Sequence, residues 1–155
     1  MRIIQNMNAR QIIERLKQER VGLVILCIFW VLFFGRVFIS GNVFFLDDLK
    51  IIYYPLEHEY ASFQADFDLP LWSNTFGFGH PLLAWGQLGF FTPLHVVLRL
   101  LQIHPVTLLQ ASIAVYFLVG LLGMYAFLRH RKYSLPASVL GATLFTWNGF
   151  SIGHL

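Results

Sequence analysis

Two long apolar runs constrain this chain more than any other feature of its sequence. Residues 21–39 and 106–128 contain no acidic side chain, and each is long enough for a helix of about 28 Å or more at 1.5 Å per residue. Because the hydrocarbon core of a bilayer is about 30 Å thick, each run predicts one membrane-spanning helix. Composition agrees, since 57% of the 155 residues are apolar and only 12% are charged. The sequence predicts an all-α integral membrane protein and excludes an ordinary soluble enzyme or a disordered chain.

The charged residues predict how the chain crosses the bilayer. Six of the eight acidic residues lie between residues 47 and 68, in the segment that separates the two runs. Basic residues instead flank the runs: Arg2, Arg10, Arg15, Lys17, Arg20, Arg129, Arg131 and Lys132. The positive-inside rule places both basic flanks, and with them the N-terminus, in the cytoplasm. A cleaved secretory signal is disfavoured because the first run is too long. Nucleic acid is not an expected partner, because the basic groups form no single face.

These features divide the chain into six predicted segments. They are a cytoplasmic amphipathic segment (1–20), transmembrane helix 1 (21–39), an extracytoplasmic loop (40–105), transmembrane helix 2 (106–128), a cytoplasmic basic loop (129–136) and the start of transmembrane helix 3 (137–155). The small residues Gly120, Gly123, Ala137 and Gly141 predict close helix packing. Because the third apolar segment ends without a polar tail or flanking charge, we expect the chain to be part of a longer protein.

The extracytoplasmic loop predicts short helices lying in the membrane interface. Pro55 can open a helix through about Phe67, since a proline at the first helical position loses no hydrogen bond. Residues 82–103 are apolar but are interrupted by Gly, Pro and polar side chains. This pattern predicts two juxtamembrane helices hinged near Thr92-Pro93.

The adjacent acids Asp47 and Asp48 are the most informative polar residues, since they lie just outside the first predicted span. Two carboxylates at this depth can hold a hard divalent cation such as Mg²⁺ or Mn²⁺, or one can act as a general base toward a hydroxyl. A solvated turn or a helix N-cap explains a bare acidic pair equally well.

Rings and amides in the same loop are candidates for carbohydrate contacts, although packing in the interface explains the rings equally well. These candidates are Tyr53, Tyr54, Trp72, Asn74, Trp85 and Gln87. Arg99 is a candidate for pairing with a lipid phosphate, with an ordinary interfacial arginine as the alternative. A metal site at Glu57-His58-Glu59 is disfavoured, because consecutive helical residues point in different directions.

Several motifs, in order along the chain, resemble the start of YfhO-like bacterial membrane proteins. The motifs are Phe45-Leu46-Asp47-Asp48, Tyr53-Tyr54-Pro55, Leu69-Pro70-Leu71-Trp72, Phe78-Gly79-His80-Pro81-Leu82-Leu83-Ala84, Gln87, Gly89, Phe91-x-Pro93-Leu94 and Gly149-Phe150-Ser151-x-x-His154-Leu155. The resemblance covers roughly residues 40–155. The sequence departs from the family pattern at Trp72-Ser73-Asn74-Thr75 and at Gly77-Phe78-Gly79-His80.

The resemblance implies a polytopic helical bundle of the GT-C superfamily of glycosyltransferases, of which this chain is the N-terminal part. Such a protein lies in the bacterial cytoplasmic membrane and transfers a sugar from a polyprenyl-phosphate donor to a cell-envelope acceptor on the extracytoplasmic face. The resemblance implies that the catalytic acid is Asp47 or Asp48. It also adds His80 to the expected substrate contacts, which are Tyr53, Tyr54, Trp72, His80, Gln87 and Arg99.

Two other functions remain open at this stage. A non-enzymatic membrane scaffold would use its outer loop to pack against another protein, with acids for solubility and aromatic rings as anchors. A transporter is a weaker alternative, because the two confident spans hold no charge at mid-depth.

Overall fold

The computed structural model describes residues 9–44, 48–65, 69, 71–75, 77–86 and 89–153. The described part of the chain is all-α and contains no β-strand. Its helices are α1 (Ala9–Ser40), α2 (Tyr54–Ala65), α3 (Leu82–Trp85), α4 (Pro93–Leu100), α5 (Pro105–His130), α6 (Leu135–Thr146) and α7 (Gly149–Gly153). A π-helical turn, Leu49–Tyr53, leads directly into α2.

Within the described residues, two segments are long and apolar enough to cross a membrane: Leu16–Ser40 in α1, and Pro105–His130, which is α5. The predicted amphipathic segment and first span form one continuous helix, and residues 1–8 lie outside the described part. At 32 residues, α1 is about 48 Å long, so it exceeds the thickness of the hydrocarbon core. The second span begins one residue before its predicted start and ends two residues after its predicted end.

The helix expected to open at Pro55 begins earlier. The helical backbone starts at Asp48 and passes through the π-helical turn before Tyr54. Proline has no N–H to donate to the carbonyl four residues back, and π-helical turns are a common way for a helix to absorb such an irregularity. The segment from Asp48 to Ala65 is therefore helical, with Pro55 inside it.

The third apolar segment also differs from the continuous span that we expected from Ala137. Helix α6 starts after Ser134, whose hydroxyl accepts a hydrogen bond from the Ala137 N–H, and ends at Thr146. Asn148 then serves both helix ends, because its Nδ2 donates to the Phe145 carbonyl (2.7 Å) and its Oδ1 accepts from the Ser151 N–H (2.9 Å). This asparagine, a polar residue within an apolar segment, satisfies backbone groups at a helix break. His154, which belongs to the last motif of the family resemblance, lies outside the described residues.

The chain divides into two compact units. The first contains Met1–Asn42 and Tyr116–Ser151, and the second contains Val43–Val115 and Ile152–Leu155. Helix α5 contributes to both. In the first unit, Leu26, Leu121, Tyr125 and Ala142 form a buried cluster that joins α1, α5 and α6.

The prediction of close packing at Gly120 and Gly123 was wrong, because a Cβ at either position would meet no atom within 4 Å. Among the helical glycines, close approaches lie at Gly141, where the prediction is confirmed, and at Gly22, which was not predicted. A Cβ at Gly22 would lie 2.8 Å from Leu135 Cδ1, and one at Gly141 would lie 2.7 Å from Leu128 Cδ1. A pair of glycines marks a small surface on a helix, but only the tertiary fold decides which helix crosses there.

The second unit has its own core around α2. Buried apolar residues from the π-helical turn, α2, α3 and α5 form it: Leu49, Tyr54, Leu56, Tyr60, Leu82 and Leu109. Two tyrosine hydroxyls donate to backbone carbonyls, Tyr54 to Phe44 (2.7 Å) and Tyr60 to Leu82 (3.1 Å). These bonds attach the segment that contains Phe44 and the start of α3 to the same helix.

Candidate functional site

The candidate site begins with Asp48, since Asp47 lies outside the described residues. Asp48 is exposed and has helical backbone angles (φ −63°, ψ −33°) immediately before the π-helical turn. Its side chain makes no capping hydrogen bond, so the N-cap interpretation does not apply to it. An exposed carboxylate that the helix does not use is chemically available to a hydroxyl or a cation.

Three consecutive residues of α2 connect this segment to the rest of the second unit. Glu57 pairs with Arg99, Glu59 accepts hydrogen bonds from the Ser73 and Thr75 hydroxyls (2.8 Å each), and His58 lies against His104. The three side chains diverge because each helical residue turns about 100° from the previous one. Each of the three side chains therefore contacts a different part of the second unit.

A buried ion pair holds α2 to α4. Arg99 Nη2 lies 2.7 Å from Glu57 Oε1 and 3.0 Å from Oε2, and Arg99 Nη1 donates to the Phe90 carbonyl at 2.9 Å. His95 Nδ1 lies 3.3 Å from Glu57 Oε1. All three charged or ionisable residues are buried, with exposed fractions of 1% for Glu57, 6% for Arg99 and 4% for His95.

Aromatic rings enclose the arginine of this pair. The Arg99 guanidinium carbon lies 4.7 Å from the Phe90 ring centre and 5.2 Å from the Tyr60 ring centre. Cations over ring faces at this distance are attracted by the quadrupole of the ring, most strongly where water is excluded. Arg99, the candidate for pairing with a lipid phosphate, therefore has its partners inside the second unit.

Two buried tyrosines of α2 have raised pKa values. Burial raises the pKa of Tyr54, although a hydrogen bond with Gln110 opposes the shift. Burial is also the largest cause that raises the pKa of Tyr60, whereas the nearby Arg99 lowers it and Glu57 and Glu59 raise it further. Both phenols are held in the neutral form, so neither is poised to act as a base near neutral pH.

The remaining predicted contact residues lie in different places. Tyr53 packs against the core of the second unit, and the Tyr54 hydroxyl is occupied by Phe44. Trp72 is half exposed and lies on the turn that the Ser73–His80 backbone bridge closes. A Cβ at Gly79 would lie 2.8 Å from the Trp72 ring. The structure therefore brings Trp72 and His80 to one turn, while Gln87 lies outside the described residues.

No cluster of three or more His, Cys, Asp or Glu side chains among the described residues could hold a metal ion. The predicted Mg²⁺ or Mn²⁺ site depends on the acidic pair, of which only Asp48 is described. Its exposed carboxylate is the oxygen donor that these hard cations prefer. The chemistry of the donor therefore fits, with substrate oxygens and water needed to complete the shell.

Sequence analysis missed a second charge cluster, which lies in the first unit. Arg129 donates from Nη2 and Nε to the Glu19 carboxylate at 2.6 and 3.0 Å, and the Tyr125 hydroxyl donates to the same carboxylate at 2.8 Å. This charge cluster joins the start of the membrane-spanning part of α1 to the end of α5. Positive-inside patterning identifies Arg129 but contains no signal for a partner 110 residues away.

A cavity of about 270 Å³ lies in the first unit beside the break between α6 and α7. Its lining is mostly apolar and contains no carboxylate, imidazole or amine; the lining residues are Tyr116, Phe117, Gly120, Phe145, Thr146, Asn148 and Ser151. Without such a group it offers no general acid or base that works near neutral pH.

Comparison of the chain with protein-family models, with curated proteins and with solved structures finds no match.

Proposed function

We propose that this chain is the N-terminal part of a membrane glycosyltransferase that transfers a sugar from a polyprenyl-phosphate donor to a cell-envelope acceptor. The proposed sugar transfer takes place on the extracytoplasmic face of the bacterial cytoplasmic membrane. The observation that supports this most is the exposed, uncapped carboxylate of Asp48 at the start of a helical segment whose middle, at Glu57, is held by a buried ion pair. The proposed substrate class rests on the resemblance of the sequence motifs to those of YfhO-like proteins.

In the proposed reaction an aspartate of the pair takes the proton from the acceptor hydroxyl. The acceptor oxygen then forms a bond to the anomeric carbon of the sugar, and the bond from that carbon to the phosphate oxygen breaks. Polyprenyl phosphate leaves with the electron pair, and the proton stays on the carboxylate until solvent removes it. A positioned base of this kind contributes about 10²–10⁴-fold in rate.

A divalent cation fits the same site as an optional participant. Mg²⁺ in phosphate-handling sites is usually bound by one or two carboxylates together with phosphate oxygens and water. When bound, such a cation would offset the negative charge on the departing phosphate.

The structure narrows the set of proposed substrate contacts. Arg99 and Tyr54 have interior partners, so we assign them to holding the second unit together. Trp72 and His80 share one turn, and the half-exposed Trp72 ring is suited to cover the apolar face of a sugar. Tyr53 and Gln87 stay candidates on the strength of the sequence.

A membrane scaffold is the second candidate. The buried Glu57–Arg99 pair is what a purely structural domain also needs, and Phe78 is fully exposed at the tip of the turn that carries Trp72. Exposed aromatic side chains on a turn are suited to packing against another protein.

The experiment that separates the candidates is direct measurement of sugar transfer. The full-length protein in proteoliposomes is supplied with polyprenyl-phosphate-linked sugars and with a cell-envelope fraction as acceptor, and released polyprenyl phosphate is quantified. An enzyme releases polyprenyl phosphate in proportion to sugar incorporated into the acceptor. A scaffold leaves the donor intact with every sugar tried, and that result would overturn the proposal.

A further inference from the structure

Two histidines that are far apart in the sequence meet on the surface of the second unit. His58 lies on α2, and His104 directly precedes α5. Their ring centres lie 5.6 Å apart and their ring planes are nearly perpendicular, at 83°. Both side chains are exposed, so an ion in solution can reach them.

We propose that His58 and His104 form a two-imidazole site for a borderline divalent cation of the Zn²⁺, Ni²⁺ or Cu²⁺ class. Imidazole nitrogen is the ligand that these metals prefer, whereas Mg²⁺ and Mn²⁺ prefer oxygen. The site is separate from the acidic pair and does not depend on the proposed sugar transfer.

The separation of the rings matches this coordination. A zinc–nitrogen bond of about 2.0–2.1 Å, with the nitrogen roughly 1.1 Å from the ring centre, places each ring centre about 3.2 Å from the metal. Two rings at a tetrahedral angle then have centres about 5.2 Å apart, and at 120° about 5.5 Å apart. The observed separation of 5.6 Å is close to both values, and rotation about the side-chain bonds changes the present edge-to-face contact into one in which a nitrogen of each ring faces the metal.

Both ligands project from backbone that is already fixed. His58 lies within α2, next to Glu57 and its buried ion pair. The carbonyl of His104 accepts the Leu108 N–H at 2.9 Å in the first turn of α5. Binding therefore orders only the two side chains, which keeps its entropic cost low.

Water supplies the rest of the coordination shell. The described residues contain no cluster of three or more metal-ligating side chains, so they contribute two ligands to this site. The neighbouring carboxylates have other partners, Glu57 with Arg99 and Glu59 with Ser73 and Thr75. A bound cation would link α2 directly to the start of the second span.

The test is metal titration of the full-length protein in detergent, with any affinity tag removed because histidine tags bind the same ions. Isothermal titration with Ni²⁺ and Zn²⁺ is compared with Mg²⁺ for the wild type, His58→Gln, His104→Gln and the double variant. His130→Gln is the matched control, since His130 is an exposed histidine of the first unit. Thermal unfolding without metal checks that each variant folds as the wild type does.

Chelation by two residues predicts a specific pattern. Each single variant loses about tenfold or more in Ni²⁺ affinity, because the second ligand acts at high effective concentration. The double variant then loses little more than either single variant, the control binds as the wild type does, and Mg²⁺ gives no heat from this site. The proposal is overturned if the two substitutions reduce binding independently and additively, or if His130→Gln has the same effect as His58→Gln. Sugar transfer is not part of the readout, so failure here leaves the proposed function untouched.

Discussion

The carboxylate of Glu57 and the guanidinium of Arg99 lie 2.7 Å apart inside the second unit, although 42 positions separate them in the sequence. Removing two charges from water is costly, and only close mutual pairing with further hydrogen bonds offsets that cost. Arg99 donates one such bond to the Phe90 carbonyl, and its guanidinium also lies over the Tyr60 and Phe90 rings. The pair fixes α2, and with it the segment that begins at Asp48.

Breaking this pair one side at a time is expected to destabilise the protein strongly. Glu57→Gln leaves a buried guanidinium without its counterion, and we expect a loss of about 3–5 kcal/mol in the free energy of unfolding. Arg99→Met should cost a similar amount for the opposite reason. The double variant removes both charges and should cost clearly less than the sum of the two.

Denaturant titration in mild detergent measures these differences. Glu14→Gln is the matched control, because Glu14 and Lys17 form an ion pair with both side chains about two-thirds exposed (68% and 67%). Exposed pairs contribute little, so this change should stay within about 0.5–1 kcal/mol. Additive losses in the double variant would show that the two charges do not stabilise each other.

The close approach of α1 to α6 at Gly22 gives a second prediction. Gly22→Ala places a methyl group against Leu135 and the Tyr125 hydroxyl, and overpacking of this kind costs about 1–3 kcal/mol. Gly123→Ala introduces the same group where no atom lies within 4 Å. It should be neutral or slightly stabilising, since alanine favours helix by about 1 kcal/mol over glycine. Thermal unfolding midpoints of the two variants, compared side by side, check the prediction, and a larger drop for Gly123→Ala would contradict it.

The raised pKa values of Tyr54 and Tyr60 predict how stability depends on alkaline pH. Each phenol has a higher pKa in the folded protein than the ordinary tyrosine value of about 10, so the folded state holds its proton more tightly than the unfolded state does. The associated stability is fully present below pH 10 and is lost as the pH rises through the folded-state pKa. We therefore expect unfolding to become easier above pH 10.

Tyr60→Phe should flatten this alkaline loss, although it also removes the bond to the Leu82 carbonyl. Tyr133→Phe is the control, because Tyr133 is exposed. Circular dichroism against pH, combined with tyrosinate absorbance, follows both events. An alkaline profile of Tyr60→Phe identical to that of the wild type would show that this phenol does not couple folding to pH.

The proposed topology predicts which residues are reachable from outside an intact cell. In a Cys27→Ala background, Phe78→Cys should react with a membrane-impermeant thiol reagent, because Phe78 is fully exposed in the extracytoplasmic loop of the proposal. Lys132→Cys should react only after the cells are opened. Labelling of both cysteines in intact cells, or of Lys132→Cys alone, would reverse or abolish the predicted orientation.

The positions of the helices were more predictable from the sequence than the contacts that they make. Length and apolar content define the spans, and prolines and turn residues mark the short helices, because these are local properties. The break after Thr146 escaped prediction because Asn148 inside an apolar run resembles an ordinary polar residue of a span. Only the structure shows that its amide serves both flanking helix ends.

The candidate site was predictable in part for the same reason. Asp48 was predicted as a site residue because the acidic pair lies just outside the first span. Glu57 was considered only together with its immediate neighbours. Nothing local indicates that Glu57 meets Arg99 or that His58 meets His104, since tertiary packing decides both contacts. Contacts between residues that are far apart in the chain are not predictable from a single sequence.

The central claim is that an aspartate of the acidic pair removes the acceptor proton. It is tested most directly by measuring sugar transfer for Asp47→Asn, Asp48→Asn and the double variant, with Glu14→Gln as the control carboxylate and protein amounts matched in the membrane. We predict that at least one single variant and the double variant lose about 10²–10⁴-fold in transfer rate while the control keeps the wild-type rate. Transfer at the wild-type rate in the double variant would contradict the account.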